Sequence, residues 1–249
     1  MENFKDNFSK QSDVYQRYRP SYPKKLFEYL SNLSKANELA WDCATGNGQS
    51  AIGLVDYFEK VFATDPSGQQ ISNAVSHPKI IYRVEKAENS SLENNSVDLI
   101  TVAQALHWFD FEKFYSEVRR VLKPNGIIAV WTYGLPKISS KIDQLILHFH
   151  DNIVGEFWQK ENLLVSEEYK TIPFPFREIE TPAFQFQREI APEDLKGLFF
   201  SWSATQRYLE QSRKNPVLEI ENDLQKLWKK EEETKLATWN IFLKAGILE

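Results

Sequence analysis

The chain has 249 residues, one Cys, and 30 Lys plus Arg against 35 Asp plus Glu, for a formal charge of −5. One cysteine excludes an internal disulfide framework and a thiolate zinc site, and it fits a reducing, cytoplasmic setting. The mildly acidic balance argues against non-specific binding to nucleic acid or an anionic membrane. The longest apolar runs, such as Ile127 to Trp131, are far too short to span a bilayer.

In chain order, Ser21-Tyr22-Pro23 opens a predicted helix whose apolar positions Leu26, Phe27, Leu30 and Leu33 recur at helical spacing. Residues 39–44 read as a first strand, followed by a glycine-containing turn and a helix through Ile52, Val55 and Phe58. A second strand is expected over 60–65, a helix over 67–76 and a third strand over 80–84. A polar turn at 93–96 precedes a fourth strand over 97–103; a helix follows over 111–122, a turn at 124–126 and a fifth strand over 127–131. Short apolar strands alternating with helices imply right-handed crossovers and a parallel sheet buried on both faces.

The second half carries less pattern. It shows a long helical stretch over 138–158, a Pro-marked segment at 172–176 and a strand over 184–190. Ala191-Pro192-Glu193-Asp194 looks like a helix start, and a closing strand is expected over 237–243. The expected fold class is therefore α/β, a doubly wound, mostly parallel, seven-stranded sheet in a single domain. Residues 1–36 would form a helical cap, 37–134 the cofactor-binding sheet, and 135–249 a helical lid with closing strands.

The most informative segment is Trp41-Asp42-Cys43-Ala44-Thr45-Gly46-Asn47-Gly48-Gln49-Ser50, a strand running into a two-glycine turn and then a helix. Glycines there let backbone approach a ligand at the carboxyl end of the strand. Read as Gly46-x-Gly48-x-x-Ala51, the spacing also matches a dinucleotide-binding pattern. Asp65 ends the second strand, where an acidic side chain accepts hydrogen bonds from ribose hydroxyls in either nucleotide reading. Asp42 separates the readings: a carboxylate beside the turn repels a pyrophosphate but attracts the ammonium and sulfonium of S-adenosylmethionine. At a few ångströms and an effective dielectric of about 20, that interaction is on the order of a few kcal/mol either way. A plain capped strand-turn-helix is the remaining alternative.

The chain resembles class I S-adenosylmethionine-dependent methyltransferases of the type 11 group, and within them the trans-aconitate methyltransferase-like proteins. The resemblance is carried by Tyr15-Gln16-Arg17-Tyr18-Arg19-Pro20-Ser21-Tyr22-Pro23, Asp42-Cys43-Ala44-Thr45-Gly46-Asn47-Gly48, Thr64-Asp65-Pro66-Ser67, Lys86-Ala87-Glu88, Val97 to Ile100 with Ala105-Leu106-His107-Trp108, and Val121-Leu122-Lys123-Pro124-Asn125-Gly126. Ala44 stands where the family usually has glycine, and alanine should be tolerated there if its φ is negative. The resemblance implies that Asp42 and the backbone of Ala44, Thr45, Gly46, Asn47 and Gly48 hold the methionine end of the cofactor. Asp65 would hold the ribose. Ala87 and Glu88 would lie beside adenine, with Pro66 and Ser67 nearby, and Gln104 and Ala105 would line the methionine end. Arg19 is a candidate clamp on the cofactor carboxylate, with a surface salt bridge as the alternative.

On the acceptor side, His107 follows the fourth strand, and its ordinary pKa near 6.5 suits a general base. A backbone-bonded strand-end histidine is the alternative. Trp108 beside it could pack an acceptor or fill the core. Tyr18, Tyr22, Trp131, Tyr133 and Trp202 are candidates for the pocket wall, with core packing the alternative for each. Cys43 reads as a small buried residue and not as a nucleophile. His148 and His150 are two apart on the expected helix and share no face, so no metal site is expected. The expected activity is methyl transfer from S-adenosylmethionine to a small molecule, with a carboxylic acid suggested by analogy with the family. A non-catalytic cofactor-binding module and an NAD-dependent oxidoreductase are the rival readings.

Overall fold

The computed structural model describes residues 22–228 and 233–248. Five strands, β1 (Leu39–Cys43), β2 (Lys60–Asp65), β3 (Ile80–Val84), β4 (Val97–Ala103) and β5 (Leu122–Tyr133), lie parallel in the order β3-β2-β1-β4-β5. A long antiparallel strand, β8 (Lys235–Ile247), runs beside β5. Along its far side it pairs with β6 (Arg177–Ile179) and β7 (Phe184–Ile190). Seven strands thus form one path, and β7 joins as an eighth through β8 alone.

Away from the irregularity at Val97–Leu99, the strands alternate between two buried faces. Ala40, Val61, Ala63, Leu99, Ile127, Ala129 and Trp131 point one way; Trp41, Cys43, Phe62, Ile100, Val102, Ile128 and Val130 point the other. On the first face sit α1 (Lys24–Leu33) and α2 (Gln49–Leu54), joined by side chains of the second half such as Phe149, Phe199 and Trp202. On the second face sits α4 (Phe111–Val121), which buries Phe114, Tyr115, Val118 and Val121. Crossover helices on both faces explain why the first-half strands read as apolar runs.

The elements differ from expectation at their ends. The helix after β2 is only α3 (Gly68–Ser72), started by Ser67, whose Oγ accepts the Gln70 N–H at 3.2 Å. β5 begins directly after α4 and takes in Pro124-Asn125-Gly126, with Asn125 at φ +62° and a shift of register against β4. The long helix expected over 138–158 divides into α5 (Ser140–His148), a wide turn Phe149–Ile153 and a short 3₁₀ turn Gly155–Phe157. Its start is fixed by Asp143, whose Oδ1 accepts the N–H groups of Ile138 and Ser139 at 2.8 and 3.2 Å. At the wide turn Phe149 stacks on Phe199, with ring centroids 4.6 Å apart. Beyond it come α6 (Asn162–Ser166), α7 (Pro192–Phe200), α8 (Ser203–Ser212) and α9 (Glu221–Leu227). Among the described residues no helix is long and apolar enough to cross a membrane.

Candidate active site

All five parallel strands end on the same edge, and the strand order reverses between β1 and β4, which opens a crevice there. The loop leaving β1 is pinned from two sides. From below, Asp42 accepts hydrogen bonds from Thr45 Oγ1 at 2.5 Å and from Thr101 Oγ1 of β4 at 2.8 Å. From the β2 side, Asp65 accepts the Gly46 N–H and the Ser67 N–H, both at 2.9 Å, and Thr45 N–H donates to Thr64 O at 2.8 Å. Asp42 is fully enclosed behind the loop, and this burial pushes its pKa up, against the hydrogen bonds that pull it down.

Three residues of the loop are left-handed: Ala44 at φ +55°, Gly46 at +56° and Gly48 at +88°. Ala44 therefore does not meet the condition, a negative φ, under which alanine would be readily tolerated there. The tight hand-off from β1 to the loop demands the left-handed region, which costs an alanine roughly 1 kcal/mol. At Gly48 the demand is also steric, because an added Cβ would meet the Tyr82 hydroxyl at 2.2 Å. Tyr82 reaches across from β3 and donates to Val75 O at 2.8 Å. Beside these glycines the Asn47 amide nitrogen is buried with no partner among the described residues. A glycine-lined loop with a buried donor left over fits a ligand carrying a carboxylate and a ribose.

The other expected cofactor residues lie on the same edge. Pro66 and Ser67 follow β2, and Ala87 is buried beyond β3. Glu88 accepts the Asp110 N–H at 3.2 Å, at the start of α4. Gln104 turns the chain after β4 at φ +56°, its Oε1 accepting from Thr132 Oγ1 at 2.7 Å, and Ala105 is buried behind it. Arg19 and Tyr18 lie outside the described residues.

Next to this loop system is a cavity of about 670 Å³, bounded by the ends of β4 and β5 and by the second-half helices. Gln104, His107, Trp108 and Tyr133 line its sheet end, and Trp158 and Trp202 line its helical wall. His107, Trp108, Tyr133 and Trp202 are thus where a pocket wall needs them. Trp131 and Tyr22 are not. Trp131 points into the core face set by strand alternation, fully buried, and Tyr22 meets it edge-on at 5.3 Å.

His107 Nδ1 lies 2.7 Å from the Tyr169 hydroxyl, and burial lowers the imidazole pKa to about 3. Such a group is neutral at working pH and is a weak proton acceptor. Sequence reading missed Tyr169, Lys137 and His150. His150 lines the cavity against Trp158 and Trp202, with ring centroids 4.8 and 5.6 Å away. Its position depends on the wide turn after α5, for which the apolar spacing carried no signal. Cys43 is buried within β1, as expected.

Residues 41–130 match the family described as "Methyltransferase domain". A Dictyostelium discoideum protein described as a methyltransferase is 34% identical over 230 residues, covering 91% of this chain and 88% of that one. A Saccharomyces cerevisiae protein described as an S-adenosylmethionine-dependent methyltransferase is 29% identical over 136 residues, covering 51% of this chain and 47% of that one. The solved structure of a type II methyltransferase from Anaeromyxobacter dehalogenans superposes with a TM-score of 0.86 at 35% identity, covering 92% of this chain and 98% of that one. The chain belongs to the methyltransferase type 11 group of class I S-adenosylmethionine-dependent methyltransferases. It is an enzyme, its cofactor is S-adenosylmethionine, and the NAD-dependent reading of the glycine spacing is set aside.

Proposed function

We propose that this methyltransferase acts on a small molecule bearing a carboxylate. The observation that carries this is Lys137, a cation on the cavity wall. Three carboxylates line the cavity and each is engaged: Asp143 with backbone N–H groups, Asp151 with His150, and Glu168 with Lys170. Lys137 lines it too and makes no ion pair among the described residues. An acceptor carboxylate supplies the missing counter-charge, while the aromatic walls take up its apolar body. The cavity size is within the range of small-ligand sites, about 300–1,000 Å³. The single buried cysteine and acidic balance suit a cytoplasmic enzyme that engages neither nucleic acid nor membrane.

Asp65, at the end of β2, would accept from the ribose hydroxyls, and Ala87 with Glu88 would flank adenine beside Pro66 and Ser67. The backbone of Ala44, Thr45, Gly46, Asn47 and Gly48 would hold the methionine end, closed off by Gln104 and Ala105. Arg19 remains the proposed clamp on the cofactor carboxylate. Asp42 would act through the loop it pins and through its negative field, without touching the ligand. S-adenosylmethionine supplies a methyl group already activated on a positive sulfur. The protein is left to hold nucleophile and methyl in line and to exclude water, which can contribute ~7–11 kcal/mol. A carboxylate acceptor needs no base, in keeping with the depressed pKa of His107. The helical second half would form the lid.

Transfer of labelled methyl from S-adenosylmethionine into a fractionated pool of small acids, with Asp42→Ala as control, tests this reading. Base-labile methyl esters are expected. Label confined to amines or to protein would overturn the acceptor class, and cofactor binding with no transfer to any fraction would favour a binding module.

A further inference from the structure

The hydrogen bonds around His107 fix more than its position. The Tyr169 hydroxyl sits 2.7 Å from Nδ1, its one hydrogen-bond partner among the described residues, and the side chain is fully enclosed. A phenol oxygen has two acceptor sites and one proton to give. Enclosed as it is, that proton finds an acceptor only at Nδ1. Were Nδ1 protonated instead, the buried hydroxyl proton would have no acceptor among the described residues. The neutral ring therefore carries its proton on Nε2. That nitrogen has no partner among the described residues, and the ring lines the cavity floor beside Gln104 and Trp108.

Tyr169 is itself held in an unusual backbone. It and Glu168 are successive left-handed residues, at φ +58° and +59°, and the Tyr169 side chain is fully enclosed. Its N–H donates to Leu164 O at 2.9 Å. Two such residues in a row strain the backbone, which ordinary core filling does not require.

We infer that His107 is a fixed hydrogen-bond donor, Nε2–H, aimed into the acceptor cavity, and that Tyr169 is the positioning residue that fixes it. This rests on the methyltransferase reading and deepens it. The group that His107 meets must present a lone pair, as a carboxylate or carbonyl oxygen does and an ammonium does not. His107 orients the acceptor beside Lys137 and takes no proton from it. Its neutral, buried state agrees, since an imidazole with pKa near 3 stays uncharged throughout the working range.

Long-range proton–nitrogen correlation NMR on protein labelled with ¹⁵N-histidine, bound to S-adenosylhomocysteine, reads this directly. Four histidines give a sparse spectrum, and His107→Gln assigns the signal. Expected is one tautomer, protonated at Nε2 and unchanged from pH 8 to pH 5, with a slowly exchanging Tyr169 hydroxyl proton that correlates with Nδ1. Tyr169→Phe should mix the tautomers and raise the His107 pKa by at least one unit. An Nδ1-protonated ring, an imidazolium above pH 5, or a folded Tyr169→Phe with the same pure tautomer would each overturn the inference. If Tyr169→Phe does not fold, the wild-type hydroxyl correlation decides alone, and its absence overturns the role of Tyr169. Failure of the methyltransferase reading looks different: S-adenosylhomocysteine would leave the melting temperature unmoved, whatever the tautomer.

Discussion

At Asp42 two needs conflict. The carboxylate is wholly buried, and burial raises its pKa, so an ionised Asp42 opposes folding at neutral pH. In the proposed site the same charge would attract the cationic end of the cofactor. Asp42→Asn keeps the shape and removes the charge. The expected outcome is a melting temperature at or above wild type without ligand, and at least a tenfold weaker S-adenosylmethionine affinity by calorimetry. Lower stability together with unchanged affinity would show that the carboxylate only holds the loop. Ala44 has a simpler conflict, between its Cβ and φ +55°. Ala44→Gly should stabilise by up to about 1 kcal/mol, less what the freer unfolded chain takes back, read as a rise in the urea midpoint.

The loop between β1 and α2 works as one element because three strands hold it. Asp42 and Thr101 link it to β4, Asp65 links it to β2, and Tyr82 closes over Gly48 from β3. Gly48→Ala must therefore strain the backbone at φ +88° and displace the Tyr82 hydroxyl. The prediction is a loss of cofactor affinity of tenfold or more. Adding Tyr82→Phe should restore part of it, because the closest clash is with the hydroxyl oxygen. No gain in the double variant would mean that backbone strain alone sets the cost.

This element was legible in the sequence because its parts are near one another: Asp42, Gly46, Gly48 and Asp65 fall within one strand-turn-helix-strand unit, where each residue type has a physical reason. Of the wall of the proposed acceptor cavity, His107, Trp108, Tyr133 and Trp202 were legible. Tyr169 lies 62 residues from His107, inside a stretch of irregular turns with no period to read. Trp131 failed for the opposite reason. An aromatic at a strand end looks like a pocket wall until the alternation of its neighbours shows which face it takes.

For the whole molecule, His107 also sets part of the response to acid. Its folded pKa, near 3, is below the unfolded value of about 6.5. Between those values the unfolded chain binds the extra proton, so stability falls as pH drops through the window and is fully present above pH 6.5. The effect reaches about 3 kcal/mol by pH 4. Urea midpoints measured from pH 7 to pH 4 should fall more steeply for wild type than for His107→Gln. Parallel slopes would show that His107 is hydrated and titrates normally. The buried Asp42, whose pKa is raised, acts with the opposite sign, so the paired comparison with His107→Gln isolates the histidine.

β8 joins two regions with different duties. Its earlier part lends Trp239, Asn240 and Phe242 to the acceptor cavity, and its later part is registered residue by residue against β5, from Ile241 opposite Tyr133 to Ile247 opposite Ile127. Nearly all the cofactor-facing positions precede this seam in the chain, and most of the cavity wall follows β5. In the proposed division of labour, substitutions after β5 would change the acceptor while the donor chemistry is inherited intact. A chain divided this way can diversify by drift in its second half, with one strand keeping each new pocket in alignment with an old methyl donor.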